Sequence, residues 1–144
     1  MSDTARLYTP ELLASAVELA SWPPIENAQL HGDARSAACG STIGIDLLVD
    51  GEERIATIGM RVRACAVGQA AAAIFARHAH GLTAGQIRAA HDRMAGWLEE
   101  EAPAPDWPGI ALIAPARAFP ARHGAMLLPW KAALAALSSA PAAS

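Results

Sequence analysis

Two short runs of alternating hydrophobicity, joined at Asp50-Gly51 and followed at once by an alanine-rich stretch, constrain this chain most. In the first, Ser41 to Asp50, the residues Ile43, Ile45, Leu47 and Val49 alternate with Thr42, Gly44, Asp46 and Leu48. In the second, Glu53 to Val62, an imperfect alternation is carried by Ile55, Ile58, Met60 and Val62. Period-two alternation marks a strand with one face on a core, and Asp-Gly between two such runs signals a hairpin turn. A lone hairpin is marginal in water, so a third strand is expected, and Ala34 to Ala38 is the segment that offers one. The carboxylates Asp46, Asp50, Glu52 and Glu53 read as the polar residues of this hairpin's turn.

Most of the remainder reads as helix. Thr9-Pro10-Glu11 ahead of Leu12, Leu13, Ala16, Val17 and Leu19-Ala20 combines a Thr N-cap, Pro at the first helical position and apolar residues at helical spacing. That helix stops near Trp22-Pro23-Pro24, and Ile25 to Ala38 is polar and irregular. From Val67 the run QAAAAIFARHA forms a second helix, and Thr83 caps a third through AGQIRAAHDRMAGWLEEE. A Pro-rich passage through Asp106-Trp107-Pro108 to Phe119-Pro120 then leads to a last helix near Leu127 to Leu137. Alanine, a quarter of the residues, supports helix throughout this half. Strands first and helices after argue for an α+β fold: a small antiparallel three-stranded sheet with helices packed on one face, not alternating βαβ units. Trp107 and Trp130 read as core anchors. The 144 residues are expected to form one domain, with a core over 7–136 and a flexible tail over 138–144.

Charge and motifs exclude several functions. The chain has 11 Lys+Arg against 14 Asp+Glu, a net charge of −3, which offers no footprint for a phosphate backbone, so nucleic acid is not an expected partner. The start, MSDTARLYTPELL, has no basic region followed by an apolar run, and no window approaches the roughly 18 apolar residues of a membrane span. A cytoplasmic protein with no membrane association is expected. There is no GxGxxG, no P-loop and no nucleophile elbow, and Lys131 is the one lysine, which argues against nucleotide hydrolysis.

Chemistry concentrates at two cysteines. Cys39-Gly40-Ser41 forms a turn into the first long strand, where Gly40 permits a backbone conformation that gathers amides around a small ligand. Cys65 closes the second strand and opens the alanine-rich helix, where the positive helix end favours thiolate. An antiparallel hairpin about Asp50-Gly51 brings positions 39 and 65 to its open end. Two small buried hydrophobes would account for the same cysteines. Arg61 and Arg63, alternating with Met60 and Val62, place positive charge near Cys65, to stabilise a thiolate or to solubilise a strand edge.

The stretch SAACGSTIGIDLLVDGEERIATIGMRVRACAVGQAAAAI resembles the core of the NifU/IscU-type iron-sulfur cluster assembly scaffold family. Members carry a Cys-Gly-Asp turn before a strand, a β-hairpin, and a second Cys opening a small-residue helix. Phe119-Pro120-Ala121-Arg122, followed by Leu128 and Trp130, is similar to the Phe-Pro-x-Arg segment and Trp of the SufU-like branch, and Leu7-Tyr8 resembles that branch's opening helix. The long helical insert after Cys65 sides with the same branch, and the Leu-Pro-Pro-Val-Lys motif of the IscU branch is missing. The likeness covers roughly 130 residues.

The family's ligand set is degenerate here. Ser41 stands at the family's Asp position, and Ala125, three residues after Arg122, stands at its third Cys. The resemblance implies a scaffold-like protein, not an enzyme, that accepts sulfur or binds iron, zinc or an iron-sulfur cluster through Cys39 and Cys65. Its implied partners are a cysteine desulfurase and other iron-sulfur assembly proteins, and a homo-oligomer could fill the vacancy between subunits. Four N, S or carboxylate ligands are usual for zinc, and Cys thiolates for clusters, so two cysteines make a poor site and little or no stable cluster is expected on a monomer. His123, two residues before Ala125, is the first substitute ligand to consider, although a histidine beside an Arg at a helix start also serves as a cap. His31 and Asp33, from the loop before Cys39, are further ones. Arg122 and Arg63 are the expected thiolate stabilisers. Two other roles stay open: a partner-binding protein that has lost metal chemistry, and a thiol redox protein cycling a Cys39–Cys65 disulfide.

Overall fold

The computed structural model describes residues 8–139. The first helix, α1 (Pro10–Val17), continues into a 3-10 turn, Glu18–Ser21. Its start is the one the sequence predicts: the Thr9 side chain accepts a hydrogen bond from the Leu12 amide at 3.1 Å, satisfying one of the free donors at the helix end. Three strands follow, β1 (Leu30–Arg35), β2 (Thr42–Val49) and β3 (Ile55–Arg63), in the order β1-β2-β3 with both pairs antiparallel. Then come α2 (Ala66–Ala79), α3 (Ala84–Leu98), three 3-10 turns between Ile110 and Arg122, and α4 (His123–Ser138). This is the expected α+β architecture of a three-stranded antiparallel sheet with helices on one face.

The third strand lies earlier than Ala34 to Ala38. It runs from Leu30, and pairing with β2 from Leu30↔Leu47 to Arg35↔Thr42 leaves residues 36–41 as a tight hairpin. Its polar sequence, LHGDAR, hides it, because only its Leu30, Gly32 and Ala34 face the helices. The connection after β2 is longer than Asp50-Gly51. Asp50 and Arg54 close it through the Asp50 amide and the Arg54 carbonyl at 2.9 Å, and Glu53 adopts a left-handed φ of 62°. The imperfect alternation of β3 has a geometric cause. Leu48 pairs with Thr57 and Val49 with Ile55, so Ala56 is the extra residue of a β-bulge. The bulge returns Ile55 to the core face that Ile58, Met60 and Val62 reach on even positions.

Ile43, Ile45 and Leu47 share that face, all at most 2% exposed, and α4 packs across β1 and β2. Helix α2 is enclosed between α1 and α4, and Ala70 to Ala76 are all buried. Alanine suits such a position, since a helix surrounded on all sides needs small side chains for close approach. The core is completed by Phe75 stacked on Trp107 at 5.5 Å, with Trp130 edge-on to both, so Trp107 and Trp130 are the anchors expected. Truncating the fully buried Trp130 to alanine would cost about 3–5 kcal/mol.

Two helix boundaries differ from expectation. The third helix stops at Leu98, with Glu99 at its C-cap and Glu100 left-handed at φ 62°, so the acidic run lies outside it. The last helix begins at His123, a turn earlier than Leu127, and accommodates Pro129 internally. Tyr8 precedes α1, while Leu7 and tail residues 140–144 lie outside the described residues.

Candidate functional site

The hairpin between β1 and β2 is drawn tight by two backbone bonds: the Ser36 amide donates to the Ser41 carbonyl and the Gly40 amide to the Ser36 carbonyl, both at 2.8 Å. Gly40 has a φ of 69°, a left-handed conformation that any Cβ would strain. This closure holds Cys39 exposed at the tip while the two serines, each 4% exposed, turn inward. The Ser36 and Ser41 hydroxyl oxygens lie 3.4 and 3.1 Å from the Cys39 Sγ. Hydrogen bonding from Ser36, then from Ser41, holds the Cys39 thiol below its ordinary value, against a smaller opposing effect of burial. The Ser41 backbone and the positive charge of Arg122 act in the same direction.

Cys65 occupies the N-cap of α2 as the sequence predicts, and its side chain makes no capping bond. Both cysteines are free thiols. Thr42 pairs with Arg63, so the hairpin's open end brings the start of β2 and the end of β3 together, with Cys39 and Cys65 just beyond them. Cys39 is exposed, whereas Cys65 is partly buried against the core.

The start of α4 closes this end of the sheet. A Cβ built on Gly124 would collide with the Ser36 side chain, so glycine there lets the helix seat directly on the Cys39 hairpin. Ala125 is fully buried, and its Cβ lies 3.4 Å from where a Cβ on Gly68, in the first turn of α2, would stand. The residue where the resemblance places a third Cys is thus a methyl group wedged against the helix that Cys65 caps.

His123 and Arg122 flank this point differently. The His123 Nε2 is 2.7 Å from the Arg117 carbonyl, which engages one ring nitrogen in holding the preceding turn. The Arg122 guanidinium sits 5.7 Å over the Tyr8 ring while bearing on Cys39. Arg63, with Arg61, lines a cleft on the sheet's outer face.

His31 and Asp33 are not loop residues reaching toward Cys39. They lie on β1, where His31 pairs in register with Asp46. The His31 Nδ1 is 2.6 Å from the Asp46 carboxylate and its Nε2 3.0 Å from Asp33. Asp46 is no turn residue either: it sits mid-strand, 4% exposed, and also accepts from the Ile25 amide at 3.0 Å and from Arg61 at 3.5 Å. Among the described residues no three His, Cys, Asp or Glu side chains converge to hold a metal ion. The donor set therefore does not fit a zinc ion or a cluster held within one chain.

Sequence reasoning passed over Ser36 and the buried role of Asp46. A Ser three residues before Cys39 in a Gly-containing turn was a usable signal for the first. For Asp46 the signal was the register with His31, which strand pairing alone reveals.

Among the described residues no helix is long and apolar enough to cross a membrane. No family model matches the chain, and no curated protein matches it. Solved structures do. A nitrogen-fixing NifU-like protein (N-terminal) from Brucella abortus is 28% identical with a TM-score of 0.86, covering 96% of each chain. A protein described as an iron-sulfur cluster assembly scaffold for the SUF system, from thermophilic Fervidobacterium islandicum AW-1, is 21% identical with a TM-score of 0.80. That match covers 92% of this chain and 97% of the other. A hypothetical protein at 16% identity and a TM-score of 0.66, covering 89% of this chain and 97% of its own, shares the fold.

Proposed function

We propose that this chain, which is of the NifU/IscU/SufU type, serves iron-sulfur cluster assembly as a scaffold-like acceptor of sulfur at Cys39. One observation carries the reading: an exposed thiol at a hairpin tip, shifted toward thiolate by two buried serine hydroxyls. Such a thiolate is a nucleophile with an open approach. Its partner in the reaction is a persulfide on a cysteine desulfurase. The Cys39 sulfur attacks the outer sulfur of that persulfide, a new S–S bond forms on Cys39, and the donor's S–S bond breaks. The donor cysteine leaves as thiolate, and the proton of the transferred sulfhydryl stays with its sulfur. No external oxidant or reductant enters the balance.

Metal is cargo in this scheme, and the wedged methyl of Ala125 supports a sulfur role over cluster holding by a single chain. The donor set does not favour a metal site of Cys39 and Cys65 completed by His123, because among the described residues these side chains do not converge as a group of three ligands. The test is incubation of reduced protein with a cysteine desulfurase and cysteine, followed by mass spectrometry of the two cysteine peptides. The Cys39 peptide gains the mass of one sulfur atom, Cys39→Ser abolishes the gain and Cys65→Ser retains it. Sulfur on Cys65 alone, or on neither, overturns the reading in favour of a partner-binding protein with idle thiols.

A further inference from the structure

Residues paired in register share a face, and the outer face of the sheet reads in three rows: Arg35, Thr42 and Arg63; Asp33, Gly44 and Arg61; His31, Asp46 and Gly59. The last row is covered, because the Trp22 to Ile25 segment crosses it. There the Met60 amide donates to the Trp22 carbonyl at 3.0 Å and a Cβ on Gly59 would stand 2.9 Å from the Ile25 amide nitrogen. The first two rows are open. They line a cleft of about 440 Å³, and over Gly44, where a Cβ would stand 2.9 Å from the Asp33 carboxylate, the Asp33 side chain turns toward His31 at one end of it.

Charge is concentrated at that opening. Arg35, Arg61 and Arg63 are three of the chain's 11 basic residues, set on an acidic protein of net charge −3. Among the described residues Arg35 and Arg63 have no carboxylate within 4.0 Å, and Arg61 reaches Asp46 only at 3.5 Å. Asp33 is the one acidic side chain lining the cleft, and it contacts His31. Three guanidinium groups on the two edge strands lie next to the hairpin that presents Cys39, and among the described residues only Arg61 has a carboxylate partner. Arg61 and Arg63, two residues apart on one strand, are spaced by roughly 7 Å, the repeat of alternate residues in an extended peptide.

We propose that this cleft docks an extended acidic segment of a partner protein, whose alternate carboxylates pair with Arg35, Arg61 and Arg63. Guanidinium groups bind carboxylates bidentately, which gives such a site orientation as well as attraction. Resting on the sulfur-acceptor reading, the segment belongs to the protein that delivers sulfur, held one strand-end away from Cys39.

Fluorescence anisotropy with a labelled hexaglutamate peptide at low salt tests this, with hexalysine and inorganic phosphate as comparisons. Saturable binding that weakens with salt is expected for hexaglutamate and none for hexalysine, and Arg35→Glu or Arg63→Glu should each weaken it by about tenfold. No saturable binding, or binding by both variants as tight as by the unaltered protein, overturns the proposal. Displacement of the peptide by phosphate at matched ionic strength also overturns it, in favour of a simple anion site. A second readout separates the two readings: loading of Cys39 by inorganic polysulfide, which needs no docking, should be unchanged in Arg35→Glu. Failed peptide binding with intact loading sinks the docking proposal alone, whereas intact binding with unloaded Cys39 sinks the sulfur reading alone.

Discussion

The Ser41 hydroxyl oxygen lies 3.1 Å from the Sγ of Cys39, at the position where the resemblance to the NifU/IscU-type family implies an aspartate. A neutral hydroxyl and a carboxylate at that point have opposite consequences for the thiol. An aspartate would repel the thiolate, while a hydroxyl stabilises it. Removing the hydroxyls should therefore slow the reactions of Cys39. At about 1 kcal/mol per hydrogen bond, Ser41→Ala or Ser36→Ala lowers the thiolate fraction at neutral pH about fivefold. Alkylation of Cys39 by iodoacetamide, followed as a function of pH, should show the reactive form appearing at higher pH in both variants. Unchanged profiles would leave the serines with only a structural part in the hairpin.

The methyl of Ala125 meets the first turn of α2 at Gly68 and stands one residue from the glycine that seats against Ser36. Ala125→Cys adds a single heavy atom at that junction, with an overpacking cost of about 1–3 kcal/mol. The variant should hold zinc or iron after dialysis, because it supplies a third sulfur at the end where Cys39 and Cys65 lie. The unaltered protein should retain far less than one equivalent. Metal analysis of anaerobically purified protein checks both statements. One full equivalent in the unaltered protein, lost on Cys39→Ser or Cys65→Ser, would reinstate the metal site.

Asp46 is a buried carboxylate with three partners, the Ile25 amide, His31 and Arg61. Asp46→Ala leaves the Ile25 amide without its acceptor and the His31 Nδ1 without its carboxylate, and should destabilise the fold by about 2–4 kcal/mol. Asp46→Asn keeps the shape and should lose less. Urea unfolding of the three proteins measures the difference, and equal midpoints for Ala and native would show that the strap over the outer face is held by other contacts.

His31 carries a second, pH-dependent consequence of the same contact. Its imidazole is held above its ordinary value, first by the hydrogen bond to Asp46 and then, against some burial, by Asp33. Arg61, on β3 across β2, is the positive charge that shares the Asp46 carboxylate with it. A group with a raised value in the folded state contributes stability that is full below the unfolded value, near 6.5, and fades as pH rises through the folded one. The side chain is 45% exposed, so solvent screening limits the contribution to about 0.5 kcal/mol, a shift in Tm of about 2 °C. Thermal melts between pH 5.5 and 8.5 should show native protein losing this increment on the alkaline side, and His31→Gln should flatten the slope.

Local chemistry was enough for the elements whose causes lie within a few residues. The Thr9 and Thr83 caps, the β2–β3 hairpin, the enclosed alanine helix and the placing of Cys65 at its start all follow from neighbours in sequence. What lay beyond it was set by pairing between distant residues. Strand β1 is polar because its outer face meets Asp46, which only the register reveals, and so its start at Leu30 carries no alternating apolar signal. Ser36 gains its role because the hairpin closes 36 onto 41 and Gly124 packs on its side chain. The basic cleft exists because Arg35, on one edge strand, faces the same way as Arg61 and Arg63 on the other. Sequence alone determined which residues can form helix, strand and thiolate; the tertiary structure decided which of them meet, because antiparallel register and helix docking join atoms that no local pattern relates.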